Sequence, residues 1–542
     1  TEAFVLRIFV PFAGQNGSSP TAGIVSESGR INANAHPIER DENFMNPKSI
    51  PLARACIGGE WAAFTDVPRS PVFNPSLGEV IAEVPLGGAA EVDAAVQAAA
   101  AAFPAWADTP AVERARVMFR YRGLLEQHFE EIARLISREH GKTLVEARGD
   151  LFRGYEVVEL ACAAPTLLTG ELLPNVARGI DGELARHPLG VCAGITPFNF
   201  PAMIPLWMFP LALVCGNTFV LKPSERVPLT AIRLTELLIE AGLPKGVFNL
   251  VQGGRESVEA LLRHPLVKAV SFVGSTPVAR QVYTTGTAHG KRVQANGGAK
   301  NHVIVMPDAD VARTVDAVMN AAFGCAGERC MAGSSMVTVG DRGRAVLPEL
   351  VKAARGMTVG RTDVELQPGM GAVITAAHRD RVKGLIDAGE RDGAKIVADG
   401  RGVRVSDAPN GFYLGATIVE DVRTEMRLVQ EEVFGPVLNV MHMADLEAAI
   451  ALANQSTYGN GAAIFTRSGA AAREFKHRVK AGMIGVNVGE PASLAMFPFS
   501  GWGESFFGDL HMQGRSGVLF YTQPKVTTSR WFSDGEGDIW KK

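Results

Sequence analysis

Short apolar runs that alternate with helical patterns restrict the fold of this chain more than any other feature. Four such runs follow one another: Gly190-Val191-Cys192-Ala193-Gly194-Ile195, Thr218-Phe219-Val220-Leu221, Val247-Phe248-Asn249-Leu250-Val251 and Ala269-Val270-Ser271-Phe272-Val273. Each is trailed by turn residues and a helical stretch. A strand that returns through a helix pairs parallel to its neighbour, and parallel sheets are buried on both faces. The pattern therefore predicts an α/β fold with doubly wound parallel sheets. Sheets of this kind bind ligands at the carboxyl ends of their strands, where the strand order reverses. Glu91–Ala102 and Pro110–Ile136 carry helical spacing ahead of the first run. A second α/β unit begins near Val303-Ile304-Val305-Met306 and extends to about Asn487. At 542 residues the chain exceeds a single core and divides into domains.

Composition removes several classes of function. A formal net charge of -3 gives no electrostatic reason to expect nucleic acid or a membrane surface as partner, although a local arginine cluster can still take a small anion. Six cysteines scattered through the chain argue against a disulfide scaffold and for a reducing compartment. No CxxC pair occurs, so no metal site is expected. The apolar run 198–214 is broken by Asn199 and by prolines at 201, 205 and 210, which reads as a loop and a buried helix rather than a membrane span. Residues 1–51 lack periodicity and are expected to form an extension, either an arm or a disordered tail.

Three segments carry chemistry. Ala322-Phe323-Gly324-Cys325-Ala326-Gly327-Glu328-Arg329-Cys330 places a cysteine after small residues and beside a guanidinium, which would favour the thiolate nucleophile. A cysteine in isolation is more often a small buried hydrophobe, as the other five are read here. Thr196-Pro197-Phe198-Asn199-Phe200-Pro201 offers an amide suited to a developing oxyanion, where one donor is worth roughly 3–4 kcal/mol. The segment Val293-Gln294-Ala295-Asn296-Gly297-Gly298 carries another amide, Asn296, which has no basic lone pair with which to deprotonate water. No GxGxxG occurs.

In this order the segments resemble the active site of the aldehyde dehydrogenase superfamily, and the resemblance covers about residues 52–532. It implies Cys330 as nucleophile and Asn199 as oxyanion donor, with Asn296 standing where a water-activating glutamate is usual. It further implies an NAD site. Phe198, Lys222 and Glu225 (in Leu221-Lys222-Pro223-Ser224-Glu225) belong to it, as do Gly274 and Ser275 at a helix start, and Glu432 and Phe434 in Glu431-Glu432-Val433-Phe434-Gly435-Pro436. A carboxylate at Glu225 favours NAD over NADP by repelling a 2′-phosphate. Read alone, Lys222 and Glu225 would be a solvated turn, and Ala279 replaces a glycine usual in the family. The implied domains are a cofactor domain (52–169 and 189–295), a catalytic domain (296–495) and a small oligomerisation sheet (170–188 and 506–532).

Within the superfamily, Gly298-Ala299-Lys300-Asn301-His302, Glu328-Arg329-Cys330-Met331, Gly154–Glu159 and the tail Phe497-Pro498-Phe499-Ser500-Gly501-Trp502 are similar to CoA-acylating methylmalonate-semialdehyde dehydrogenases. That branch implies oxidation and decarboxylation of malonate or methylmalonate semialdehyde, with coenzyme A as co-substrate. It also implies a homodimer or homotetramer in the cytoplasm, or in the mitochondrial matrix of a eukaryote. Arg329 and Arg153 are candidates for holding the substrate carboxylate, although Arg153 could equally pair with Asp150 or Glu156 on a helix. A hydrolytic aldehyde dehydrogenase and a non-catalytic relative are the alternatives.

Overall fold

The strand order of the larger sheet reverses in its middle, and that reversal locates the site. In this computed structural model, which describes residues 50–532, eight strands run Glu60–Ala62, Ala55–Ile57, Phe248–Leu250, Thr218–Lys222, Val191–Ile195, Val267–Val273, Arg292–Asn296 and Phe506–Phe507. The five from Phe248–Leu250 to Arg292–Asn296 are parallel. From Val191–Ile195 the chain winds outward on one side and then returns to wind outward on the other, so a crevice opens beyond Ile195 and Val273. Residues 1–49, nearly all of the expected extension, lie outside the described residues.

A second sheet has seven strands in the order Lys395–Ala398, Thr417–Glu420, Val437–Met443, Ser335–Val339, His302–Val305, Gly461–Phe465 and Met483–Val486, all parallel except the first. Its strand His302–Val305 starts six residues after the first sheet's Asn296. The carboxyl edge of one sheet therefore leads directly into the amino edge of the other. Both sheets are covered by helices, and their inner strands are almost wholly buried, as continuous apolar runs require.

Met203–Val214 is a helix with all twelve residues buried, two of them prolines inside or at its first turn, in agreement with the reading of loop plus buried helix. The predicted helical stretch 110–136 divides into Ala111–Gln127 and Phe129–His140, and helix Leu144–Cys162 follows. Among the described residues no helix is long and apolar enough to cross a membrane.

Glu171–Ala177, Ile180–Pro188 and Thr522–Arg530 form a separate three-stranded antiparallel sheet. The rest of 506–532, expected to be extended, belongs to the body. Phe506–Phe507 pairs with Ala295–Asn296, and Gly514–Phe520 is a short helix lying against Leu211, where a Cβ on Gly517 would stand 3.0 Å from the Leu211 side chain. Burial of Val518 and Phe520 outweighs the glycines in this segment.

Candidate active site

Asn199 lies in the loop that leaves strand Val191–Ile195, and a buried ion pair fixes that loop. Lys142 Nζ donates to Asn199 O at 2.6 Å and to Asp150 Oδ2 at 3.0 Å. Asp150 Oδ1 accepts from Met203 N at 2.8 Å. Neither Lys142 nor Asp150 is more than 1% exposed, so both charges depend on these partners. The Asn199 amide donates one N–H to Glu328 O at 3.1 Å. A primary amide has two such hydrogens, which leaves the second for another acceptor.

Cys330 follows a tight turn after helix Val311–Phe323. Cys325, Ala326 and Gly327 have φ of 51°, 52° and 73°, and a Cβ on Gly327 would stand 2.1 Å from Gly435 O. Only glycine fits that close approach. The loop is pinned through the Cys330 carbonyl, which accepts from Asn301 Nδ2 at 2.9 Å and from Asn460 Nδ2 at 3.1 Å. Burial, followed by the negative charges of Glu432 and Glu490, pushes the Cys330 thiol up to about 12. This corrects the expectation that the adjacent guanidinium favours a thiolate. Arg329 Nη1 lies 2.5 Å from Glu490 Oε2 and Nη2 lies 4.0 Å from Glu146 Oε1, so internal carboxylates offset its charge.

Asn296 ends its strand between Val273 and Phe506. Its carbonyl accepts from Gly274 N at 3.1 Å, which ties it to the crevice. The side chain is 2% exposed, and neither Nδ2 nor Oδ1 has a hydrogen-bond partner. An unsatisfied buried amide costs about 1–3 kcal/mol, so such a group is retained where something else can pair with it.

The residues expected to hold a nicotinamide cofactor fit one. Helix Thr276–Ala288 starts at the mouth of the crevice, and Ser275 makes no side-chain cap, so the first-turn N–H groups face outward for an anion. Gly274 admits no side chain, because a Cβ there would meet Phe272 Cζ at 2.5 Å. Ala279 is fully buried against the core, a packing place that its methyl fills. Lys222 is 4% exposed with Nζ 3.4 Å from Glu225 Oε2, and burial lowers its basicity. Glu432 accepts from Ala299 N at 2.9 Å, and burial pushes its carboxyl up to about 7. Phe198 and Phe434 meet edge to face with centroids 5.8 Å apart, and Phe434 holds a left-handed φ of 54°.

Cys330, Asn199 and Glu328 thus stand on one hydrogen-bonded loop pair, while the backbone links Asn296 to Gly274 and Ala299 links the following residues to Glu432. Arg153 takes the ion pair foreseen for it, 2.9 Å from Glu156 on its own helix, while Asp150 turns to Lys142 instead. Sequence reasoning missed Lys142, Asn301, Asn460 and Glu490, whose partners in the site are 29 to 161 residues away. No local spacing could have found them.

Residues 61–527 match the Aldehyde dehydrogenase family. Malonate-semialdehyde dehydrogenase 1 of Oceanobacillus iheyensis is 51% identical over 476 residues, 88% of this chain and 98% of that protein. Methylmalonate-semialdehyde dehydrogenase of Oceanimonas doudoroffii superimposes with a TM-score of 0.88 at 49% identity, covering 90% of this chain and 99% of that one. A Sinorhizobium meliloti protein crystallised with NAD gives the same TM-score at 45% identity, with the same coverage. The chain is a member of the aldehyde dehydrogenase family.

Proposed function

We propose that this chain oxidises malonate or methylmalonate semialdehyde with NAD and transfers the acyl group to coenzyme A, losing carbon dioxide on the way. The carrying observation is Asn296, a buried amide without an internal partner at the position where water would need a carboxylate base. The names of the curated relatives agree with the substrate.

In this reading the Cys330 sulfur, after losing its proton, attacks the aldehyde carbon. The free N–H of Asn199 stabilises the resulting oxyanion. NAD, when bound, accepts the hydride that leaves this carbon, and Lys222, Glu225, Gly274, Ser275, Phe198, Glu432 and Phe434 would hold it. Collapse to the thioester follows. The carboxylate β to the thioester departs as carbon dioxide, its bonding electrons entering the enolate, which is then protonated. The thiol of coenzyme A attacks the thioester carbonyl and releases Cys330. A thiol with pKa about 8.5 is a few per cent thiolate near neutral pH, so this attack needs no protein base, whereas water does. Arg329 and Arg153 are the proposed carboxylate-binding cations.

We assign residues 52–169 and 189–295 to the cofactor domain and 296–495 to the catalytic domain, although the first sheet also takes Asn296 and Phe506–Phe507. The three-stranded sheet exposes Leu172, Leu173, Val176 and Val526, which suits a second copy of the chain in a homodimer or homotetramer. Six free cysteines suit a reducing compartment such as the cytoplasm.

Product analysis by mass spectrometry with malonate semialdehyde, NAD and coenzyme A provides the test. Acetyl-CoA is the expected product. Free acid formed at the same rate without coenzyme A would instead establish the hydrolytic reaction.

A further inference from the structure

The guanidinium of the residue that precedes Cys330 in sequence is occupied by the protein itself. Arg329 Nη1 lies 2.5 Å from Glu490 Oε2 and 3.3 Å from Asn320 Oδ1. The group sits against Gly324, where a Cβ would stand 2.6 Å from its Cζ and both terminal nitrogens, so its seat depends on that glycine. Its Nε is buried and has no partner. The charge of this cation is already offset by Glu490 and Glu146.

The two nearby carboxylates are held very differently. Glu146 is built into the fold: it caps helix Leu144–Cys162 from Thr143 N at 2.8 Å and accepts from Cys325 N at 2.6 Å. Glu490 has Arg329 as its one hydrogen-bond partner among the described residues. It is 27% exposed on the irregular segment between Met483–Val486 and Trp502–Gly503. Around it Val488, Leu494, Met496 and Phe497 are exposed, while Gly489, Ala495 and Phe499 anchor the segment to the body. Glu490 can leave its pairing for water, whereas Glu146 cannot.

We infer that Glu490 is a specificity-determining residue, an internal carboxylate that occupies Arg329 whenever the substrate does not. The inference rests on the reading of Arg329 as the substrate's carboxylate clamp. An acid semialdehyde then binds by competing with Glu490 and gains less than it would from a bare guanidinium. A neutral aldehyde leaves no buried charge unpaired, so it escapes the penalty that makes polar sites reject analogues lacking the matching group. Glu490 therefore reduces discrimination between acid and neutral aldehydes. Its negative charge also opposes ionisation of Cys330.

Glu490→Gln keeps the shape of the side chain and removes the charge. With saturating NAD and coenzyme A, the ratio of kcat/KM for malonate semialdehyde to that for propanal should rise about tenfold, mainly through a lower KM for the acid. Glu490→Asp should keep the wild-type ratio. Alkylation of Cys330 by iodoacetamide at fixed pH, which needs no substrate, should be faster in Glu490→Gln than in either carboxylate form. An unchanged ratio in Glu490→Gln, with Arg329→Leu collapsing it, overturns the inference and leaves the clamp intact. If Arg329→Leu leaves the ratio unchanged as well, the clamp and the inference both fail.

Discussion

In the proposed reaction the amide of Asn296 and the thiol of Cys330 set the chemistry, and each gives a measurable expectation. Asn296→Glu would place a carboxylic acid in a site that is 2% exposed, where burial raises its pKa toward neutrality and makes it a base for water. NADH formation without coenzyme A should then appear or rise at least tenfold, a change followed by absorbance at saturating aldehyde. Asn199→Ala removes the amide that donates to Glu328 O and leaves in place the backbone carbonyl that Lys142 holds. It should lower kcat by about 10²–10³ with little change in the KM for NAD. Because the Cys330 thiol stands at about 12, its thiolate fraction grows tenfold per pH unit below that value. Alkylation of the NAD-free protein should therefore keep accelerating from pH 7 to 10, and a plateau near pH 8 would contradict that setting. Cys330, Asn199 and Asn296 are nominated as site candidates by the sequence because each sits in a continuous segment with its own chemistry. The thiol's ionisation was misjudged, since the charges that govern it, Glu432 and Glu490, come from elsewhere in the chain.

Elements were legible wherever one local period decides them. The parallel strands and the buried helix Met203–Val214 follow from apolar runs and punctuation. The helix Gly514–Phe520 and the division at His128 do not, because packing against distant residues decides both. The ion pair of Lys142 and Asp150 shows how one element positions another. It joins helix Leu144–Cys162 to the oxyanion loop and to the start of helix Met203–Val214. Lys142→Met leaves Asp150 buried and unpaired, which typically costs 3–5 kcal/mol. Lys142→Met together with Asp150→Asn should recover most of the thermal stability but not the kcat, because Asn199 O still lacks its donor. Calorimetry and steady-state kinetics on both variants check the separation. At the three-stranded sheet, Val526→Lys introduces a charge on a side chain that is 70% exposed in the single chain. A smaller species by light scattering, with the fold retained, is the expected result.

Across the whole molecule, buried ionisable groups around the nucleophile loop tie stability to pH. Glu328 is fully buried, with one oxygen accepting from Ile374 N and the other unpartnered, and burial pushes its carboxyl up to about 8. In the unfolded chain it titrates near 4.5. Its folded value is therefore raised, so stability is fully present below the unfolded value and falls as pH rises toward about 8. Glu328→Gln removes this loss. The variant's melting temperature should overtake that of the wild type at pH 8–9 by an amount reflecting about 1–3 kcal/mol, and melting curves from pH 5 to 9 would record the crossing.

The strand Phe506–Phe507 has a consequence in time as well as in space. It forms the outer neighbour of the strand that ends in Asn296, and Gly297 N donates to Ser505 O at 2.9 Å. Until synthesis has passed residue 507, the edge bearing that amide lacks its neighbour, and more than two hundred residues must emerge in between. The ribosome therefore holds a chain whose first sheet is nearly built while one wall of the crevice is still open. A nascent enzyme of this design acquires its site last, and a message truncated before that strand yields a sheet with an unguarded edge.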